Sequence, residues 1–100
     1  MINFVINYLE KNKIFDIVSF DSNILDADII IFASGISKKQ LCKITINLLS
    51  ELKKRYVIRD ICVCGRGSDW IAIDLHTVII HLMLPSVRSY YNLEEIYGNF

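Results

Sequence analysis

A surplus of charge is the first thing this chain lacks. Eleven Lys and Arg balance eleven Asp and Glu, so the formal net charge is zero. A dedicated nucleic-acid binder usually carries a strong basic excess. The composition therefore speaks against that class and leaves open a protein partner inside a nucleoprotein particle. Cysteine is scarce and odd in number: Cys42, Cys62 and Cys64 have no framework spacing and are expected to be free thiols of a reducing compartment. Cys62-x-Cys64, in a β-rich run, puts both sulfurs on one strand face. A metal site there would need two further ligands that the spacing does not offer. No apolar run approaches the ~20 residues of a membrane span. The first residues lack the basic start and long apolar core of a secretory signal. A cytoplasmic chain with no membrane segment is expected. Repeats and linkers are missing too. One hundred residues, 53% hydrophobic and 22% charged, are expected to fold as one domain over residues 1–100.

What is present reads as alternating helices and strands. Ile2, Val5, Ile6 and Leu9 recur at helical spacing, which predicts an amphipathic helix over residues 2–12. Residues 16–20 read as a strand and residues 21–26 as a loop. Asp28 to Ala33 is nearly continuous apolar sequence, the pattern of a central strand buried on both faces. Ser37, with Gln40 three positions later, has the spacing of a capping box. The stripe Leu41, Ile44, Leu48, Leu52 then predicts a helix reaching about Tyr56. Its lysines and Arg55 read mainly as a solvated face, with phosphate contact at an interface rim as the second reading. Residues 60–63 read as a short strand and 65–68 as a loop. Pro85 stops the last strand, Ser86 is the expected cap of a final helix, and Gly98 its stop. The expected order is α-β-β-α-β-β-β-α, an α/β fold with a mixed β-sheet flanked by helices.

The segment from Asp69 to Tyr97 holds the only Trp and both His. Trp70 to Leu75 alternates, and Thr77 to Leu84 is apolar except at Thr77 and His81. A hairpin with Leu75-His76 as its two-residue loop would set Asp74 opposite Thr77, Ala72 opposite Ile79 and Trp70 opposite His81. One face then carries Ile71, Ile73, Leu75, Val78, Ile80, Leu82 and Leu84, and is core. The other gathers an indole, an imidazole and a carboxylate with Ala72, Thr77, Ile79 and Met83. That second face is either covered by a helix, with its polar atoms hydrogen-bonded, or it is a binding patch. Trp, Tyr and Arg dominate interface hot spots.

Catalytic arrangements are poorly supported. Gly65-Arg66-Gly67-Ser68 precedes a strand instead of opening a helix, so it is not a dinucleotide loop. A Gly-Ser turn before an Asp-bearing strand resembles nucleotidyltransferases. Those enzymes need two carboxylates at i and i+2 for catalytic metal, and positions 72 and 76 here are Ala72 and His76. His81 with Asp74 has the residue types for acid–base work, but nothing places Ser34, Ser37 or Ser68 beside them as a nucleophile.

Taken in order, these residues resemble the ribosomal silencing factors, the Iojap-like family. Trp70, Asp74, His81, Arg88, Tyr91, Leu93-Glu94 and Tyr97 match the family's C-terminal pattern. Asp28, Ser34, Gly35 and Ser37 match an earlier element, and Asp16-Ile17-Val18 the opening strand. The resemblance runs from about Ile2 to Tyr97. It departs at His76, where the family usually has Gly, at Tyr97, where it usually has Trp, and in a shorter, more basic stretch over residues 59–67.

The resemblance implies a nucleotidyltransferase-like fold without the catalytic carboxylates, no enzymatic activity and no cofactor. It implies a translational repressor that binds the large ribosomal subunit through its fourteenth protein and sterically blocks small-subunit joining. The partner-binding residues it implies are Trp70, Asp74, His81, Arg88, Tyr91 and Glu94. Trp70 and Tyr91 act as apolar anchors, Asp74 and Glu94 pair with basic side chains, and Arg88 orients Glu94 or the partner. Arg66 would make a minor, salt-sensitive rRNA contact, and the free protein would be a homodimer. The competing class is a nucleotidyltransferase-like nucleotide-binding or enzymatic domain. A third is a dimerisation module alone.

Overall fold

Sheet order explains how the chemistry of the C-terminal third is displayed. The structure is a computed structural model, described over residues 1–21 and 28–92. Helix α1 (Ile2–Lys11) leads into β1 (Phe15–Asp21) and β2 (Ile29–Ser34); α2 (Lys38–Arg55) follows, then β3 (Cys62–Cys64), β4 (Trp70–Asp74), β5 (Val78–Met83) and α3 (Pro85–Tyr91). The expected element order is the observed one. The five strands lie in the order β1-β2-β5-β4-β3. Only β2 and β5 run parallel; the other neighbours are antiparallel, which makes the sheet mixed.

The two faces of the sheet are covered differently. Val5 and Leu9 of α1, and Leu41, Ile44, Leu48, Leu49 and Leu52 of α2, pack on Ile31, Ala33, Ile71, Ile73, Val78, Ile80 and Leu82. This is the main core, and the predicted stripes of both helices supply it. The opposite face carries a smaller cluster of Ile30, Phe32, Met83 and Val87, with Phe20 and Trp70 packed against it. Val87 belongs to α3, so α3 lies on the face away from α1 and α2. Strand β2 is covered on both sides, as its uninterrupted apolar run predicts.

Local signals set the ends of these elements. The Ser37 hydroxyl accepts the Gln40 N–H at 3.1 Å, the N-cap bond expected from the spacing. The Gln40 side chain, however, accepts from the N–H of Ile36 at 2.7 Å, one residue before the cap. The last helix is not capped by Ser86. Its N-cap is Leu84, with Pro85 in the first turn, where a fixed φ helps and a missing N–H costs nothing. It ends at Asn92 in the left-handed conformation. The expected loop at 21–26 beyond Asp21, and the expected stop at Gly98, lie outside the described residues.

The hairpin register differs from the expected one. Trp70 faces Met83, Ala72 faces His81 and Asp74 faces Ile79. Leu75 donates its N–H to the Val78 carbonyl at 2.8 Å, so the two-residue loop is His76-Thr77. Leu75 is only 3% exposed; its burial in the main core makes it the last strand position and excludes it from the loop. Each pairing moves by two positions on the partner strand, which preserves the parity of every side chain. The division into two faces therefore stands: residues 71, 73, 75, 78, 80 and 82 are buried against the helices.

Candidate functional site

An aromatic chain crosses the sheet face opposite α1 and α2. In-register pairing of β2, β5 and β4 puts Phe32, His81 and Ala72 in one row across three strands. Phe32 and His81 stack with ring centroids 5.0 Å apart and planes 12° from parallel. Phe20 of β1 meets Phe32 edge-on at 5.9 Å. On the other side Trp70 lies 5.8 Å from His81 and 5.1 Å from Tyr91 of α3. Tyr90 closes the series, edge-on to Tyr91 at 4.9 Å. The chain begins at the half-buried Phe20 and the fully buried Phe32 and ends in solvent: Tyr91 is 52% exposed and Tyr90 81%.

One hydrogen bond organises its centre. The Trp70 indole N–H donates to His81 Nδ1 at 3.0 Å. Trp70 and His81 are diagonal neighbours in the observed register, within reach because aromatic side chains span that distance. A nitrogen that accepts carries no proton, so the neutral imidazole keeps its proton on Nε2. Burial pushes the His81 pKa below the ordinary 6.5, since the charged ring loses solvation. The imidazole is thus held neutral, as an aromatic surface with a fixed acceptor. In this arrangement His81 packs and positions Trp70; no partner for general-base chemistry lies beside it in the hydrogen bonds of the described residues.

The six implied binding residues do not form one cluster. Trp70, His81 and Tyr91 come together as described. Asp74 sits at the far end of β4, about 13 Å along the strand from Trp70. Its Oδ1 accepts the N–H of His76 at 2.8 Å, so this carboxylate stabilises the hairpin turn. Arg88 reaches back across the sheet: its Nη1 donates to the Asp16 carbonyl and, at 2.9 Å, to the Ser34 hydroxyl. Asp16 has a φ of 50° and lies in the irregular stretch of β1 between Phe15 and Val18. Arg88 therefore ties α3 to the ends of β1 and β2. Glu94 and Tyr97 lie outside the described residues.

Sequence reasoning missed Phe20 and Phe32. Phe32 was hidden in the apolar run of β2, where every residue reads as core. Its signal was parity with Ile30 and alignment with His81, visible only once β2 and β5 pair. The replacement of glycine by His76 is accommodated. His76 takes φ of 71°, a region open to glycine and costly for most residues. Its ring nitrogen Nε2 contacts the Asp60 carbonyl at 2.9 Å, a link from the hairpin to the segment before β3 that glycine cannot make.

Among the described residues no group of three or more His, Cys, Asp or Glu is placed to hold a metal ion. A hollow of about 550 Å³ lies along α2, lined by Lys38, Lys39, Cys42, Lys43, Ile46, Asn47 and Gly67. It contains none of the aromatic chain. No described helix is long and apolar enough to cross a membrane.

Fold and site together define a small mixed-sheet α/β protein whose distinctive surface is an aromatic ridge on a sheet face and its flanking helix. Comparison with known proteins makes this specific. The family described as "Ribosomal silencing factor during starvation" matches residues 1–100, and this chain belongs to that family. It is 33% identical over 102 residues to the ribosomal silencing factor of Haemophilus influenzae, covering 98% of each chain. It is 37% identical over 75 residues to that of Zymomonas mobilis, covering 72% of this chain and about half, 54%, of the relative. A crystal structure of a protein from Chromobacterium violaceum superimposes with a TM-score of 0.84 at 33% identity, covering 96% of this chain and 82% of that one.

Proposed function

We propose that this protein represses translation by docking its aromatic ridge on the large ribosomal subunit, at the fourteenth protein of the intersubunit face. Bound there, it blocks the small subunit sterically and performs no chemistry. The observation that carries this reading is the half-buried Trp70, locked by His81 and extended into solvent by Tyr91 and Tyr90. An aromatic anchor preset in one orientation loses little entropy on binding, the property expected of a hot spot. Asp74 and Glu94 would face basic groups of the partner, and Arg66 a nearby rRNA phosphate. A cytoplasmic protein, folded as a single domain and paired as a homodimer when free, follows from the same reading.

Co-sedimentation with purified large subunits tests it, alongside a subunit-joining assay. Wild type should sediment with the subunit and inhibit joining. Trp70→Ala should lose ~2 kcal/mol or more of binding, about thirtyfold in affinity, while remaining folded by circular dichroism. Wild type that stays in the supernatant at moderate salt would sink the proposal.

The nucleotide-binding alternative has one observation in its favour, the three lysines lining the α2 hollow. Calorimetric titration with ATP, with and without Mg²⁺, decides it. Saturable binding lost in Lys39→Ala would support a nucleotide site there.

A further inference from the structure

The zero net charge of the whole chain hides a segregation. Helix α2 carries six basic residues and one acidic residue, Glu51. No Asp or Glu occurs between Asp28 and Glu51. Two of the six have partners: the Arg55 guanidinium lies 4.5 Å from the centroid of the Phe4 ring, and Lys54 stands 3.8 Å from Glu51. Lys38, Lys39, Lys43 and Lys53 are exposed and make no ion pair among the described residues.

Helical geometry gathers these charges. At about 3.6 residues per turn, Lys39, Lys43 and Lys54 fall on the side of α2 opposite the buried Leu41, Leu48 and Leu52. Lys53 flanks them. Lys39 and Lys54 mark the ends of a basic strip about 22 Å long. The strip faces outward from the sheet face that α2 covers, and the aromatic ridge lies on the other face, so both surfaces can be engaged at once.

Two observations set this strip apart from a merely solvated face. Lys38 and Lys39 occupy the first turn of α2, which holds no acidic residue. The positive end of the helix dipole disfavours cations there, so their placement costs the fold stability and suits an anion. Lys38, Lys39 and Lys43 also line the hollow of about 550 Å³, which Gly67 of the β3–β4 loop borders. Arg66, beside Gly67, is exposed. A concave surface lined by one sign of charge focuses its potential on an incoming counter-ion.

The chemistry of the strip selects the occupant. A lysine ammonium is a point charge that suits phosphate, whereas the arginine fork is the better match for a carboxylate. Helix α2 contains no aromatic residue, so it offers no platform on which unpaired bases could stack. Ile46, 52% exposed, is its one exposed large apolar side chain, too little to insert into a bilayer. These properties suit a ligand that displays phosphates and keeps its bases paired. We infer that the outer face of α2 binds the phosphate backbone of double-helical RNA, without regard to sequence, through Lys38, Lys39 and Lys43 with Lys53 and Lys54 extending the contact. The choice of RNA over DNA rests on the ribosomal reading; the basic surface itself does not.

The test measures fluorescence anisotropy of a short labelled RNA duplex against the full chain, from about 50 to about 200 mM monovalent salt. Saturable binding is expected, with a log–log salt slope of about −3, as for three phosphate contacts. Lys39→Glu/Lys43→Glu should bind at least tenfold more weakly and flatten the slope by about two. Lys38→Glu should also weaken binding, yet melt at or above the wild-type temperature, because the dipole favours an acid there; that pairing separates lost contact from lost fold. Tyr90→Ala/Tyr91→Ala should bind the duplex as wild type does, which keeps failure of this surface distinct from failure of the ridge. No binding at the lowest salt, equal binding by Lys39→Glu/Lys43→Glu, or loss of binding in the tyrosine variant overturns the assignment to α2. Tighter binding of single strands or of phosphatidylserine vesicles overturns the duplex as ligand, and tenfold tighter binding of a DNA duplex overturns the choice of RNA.

Discussion

The contact between Trp70 and His81 joins stability to recognition at the level of single atoms. It holds only while Nδ1 of His81 is unprotonated, and burial supplies that condition by lowering the imidazole pKa below 6.5. Between the lowered value and 6.5 the unfolded chain binds more protons than the folded one, so this group makes folding stability rise with pH across that window. Its contribution is complete above pH 6.5 and declines as pH falls towards the lowered value, by at most about 1.4 kcal/mol per pH unit. Thermal melts from about pH 7 down to about pH 5 should show a falling Tm. His81→Gln, whose amide oxygen still accepts the indole N–H, should remove that component of the slope; an unchanged slope would place its origin elsewhere. Trp70→Phe keeps an aromatic ring but leaves Nδ1 without its donor. It should cost about 1 kcal/mol in chemical denaturation.

Turns and caps show where sequence reasoning at the scale of elements succeeds and where it stops. Helical periodicity and the Ser37 cap were legible because their signals are local. The faces of β4 and β5 were legible because parity is local as well. Register was not: a period of two assigns a face but allows any even shift, and the loop was settled by burial of Leu75 and the positive φ of His76. The Ser86 cap failed for a related reason, since Pro85 fills the first helical position and moves the start back. The loop between β3 and β4 gives a sharp test of backbone demand. Gly65 has φ of 84°, and a Cβ there would stand 2.1 Å from the Trp70 carbonyl oxygen; Gly67 has φ of 82° with nothing within 4 Å. Gly67→Ala should therefore cost only the backbone strain, about 1 kcal/mol. Gly65→Ala adds a clash with backbone that carries the Trp70 anchor. It should cost ~3 kcal/mol or more in denaturant melts and disturb Trp70 fluorescence. Equal costs for the two would mean that the Trp70 carbonyl moves freely.

Across the whole molecule, the division of labour between sheet faces separates residues that hold the fold from residues left to bind. The face under α1 and α2 is buried almost completely, and its composition announced it. The opposite face combines packing and display, so its β4 and β5 members could be listed from sequence while their roles could not. Arg88, read as orienting Glu94 or the partner, also ties α3 to Asp16 and Ser34; Asp74, read as pairing with a basic partner group, has one of its oxygens on the hairpin turn. Trp70 stands at the boundary, half-buried and packed on the small cluster, so its removal should damage stability and binding together. Tyr90 and Tyr91, at 81% and 52% exposed, lie beyond it. Exposed substitutions usually change stability by no more than about 0.5 kcal/mol, so the double variant Tyr90→Ala/Tyr91→Ala should melt close to wild type. If the ridge is the docking surface, the same variant should lose at least tenfold in affinity for large subunits. Unaltered sedimentation with a normal melt would move the contact off this ridge, whereas a large loss of stability would mean that the tyrosines serve the fold.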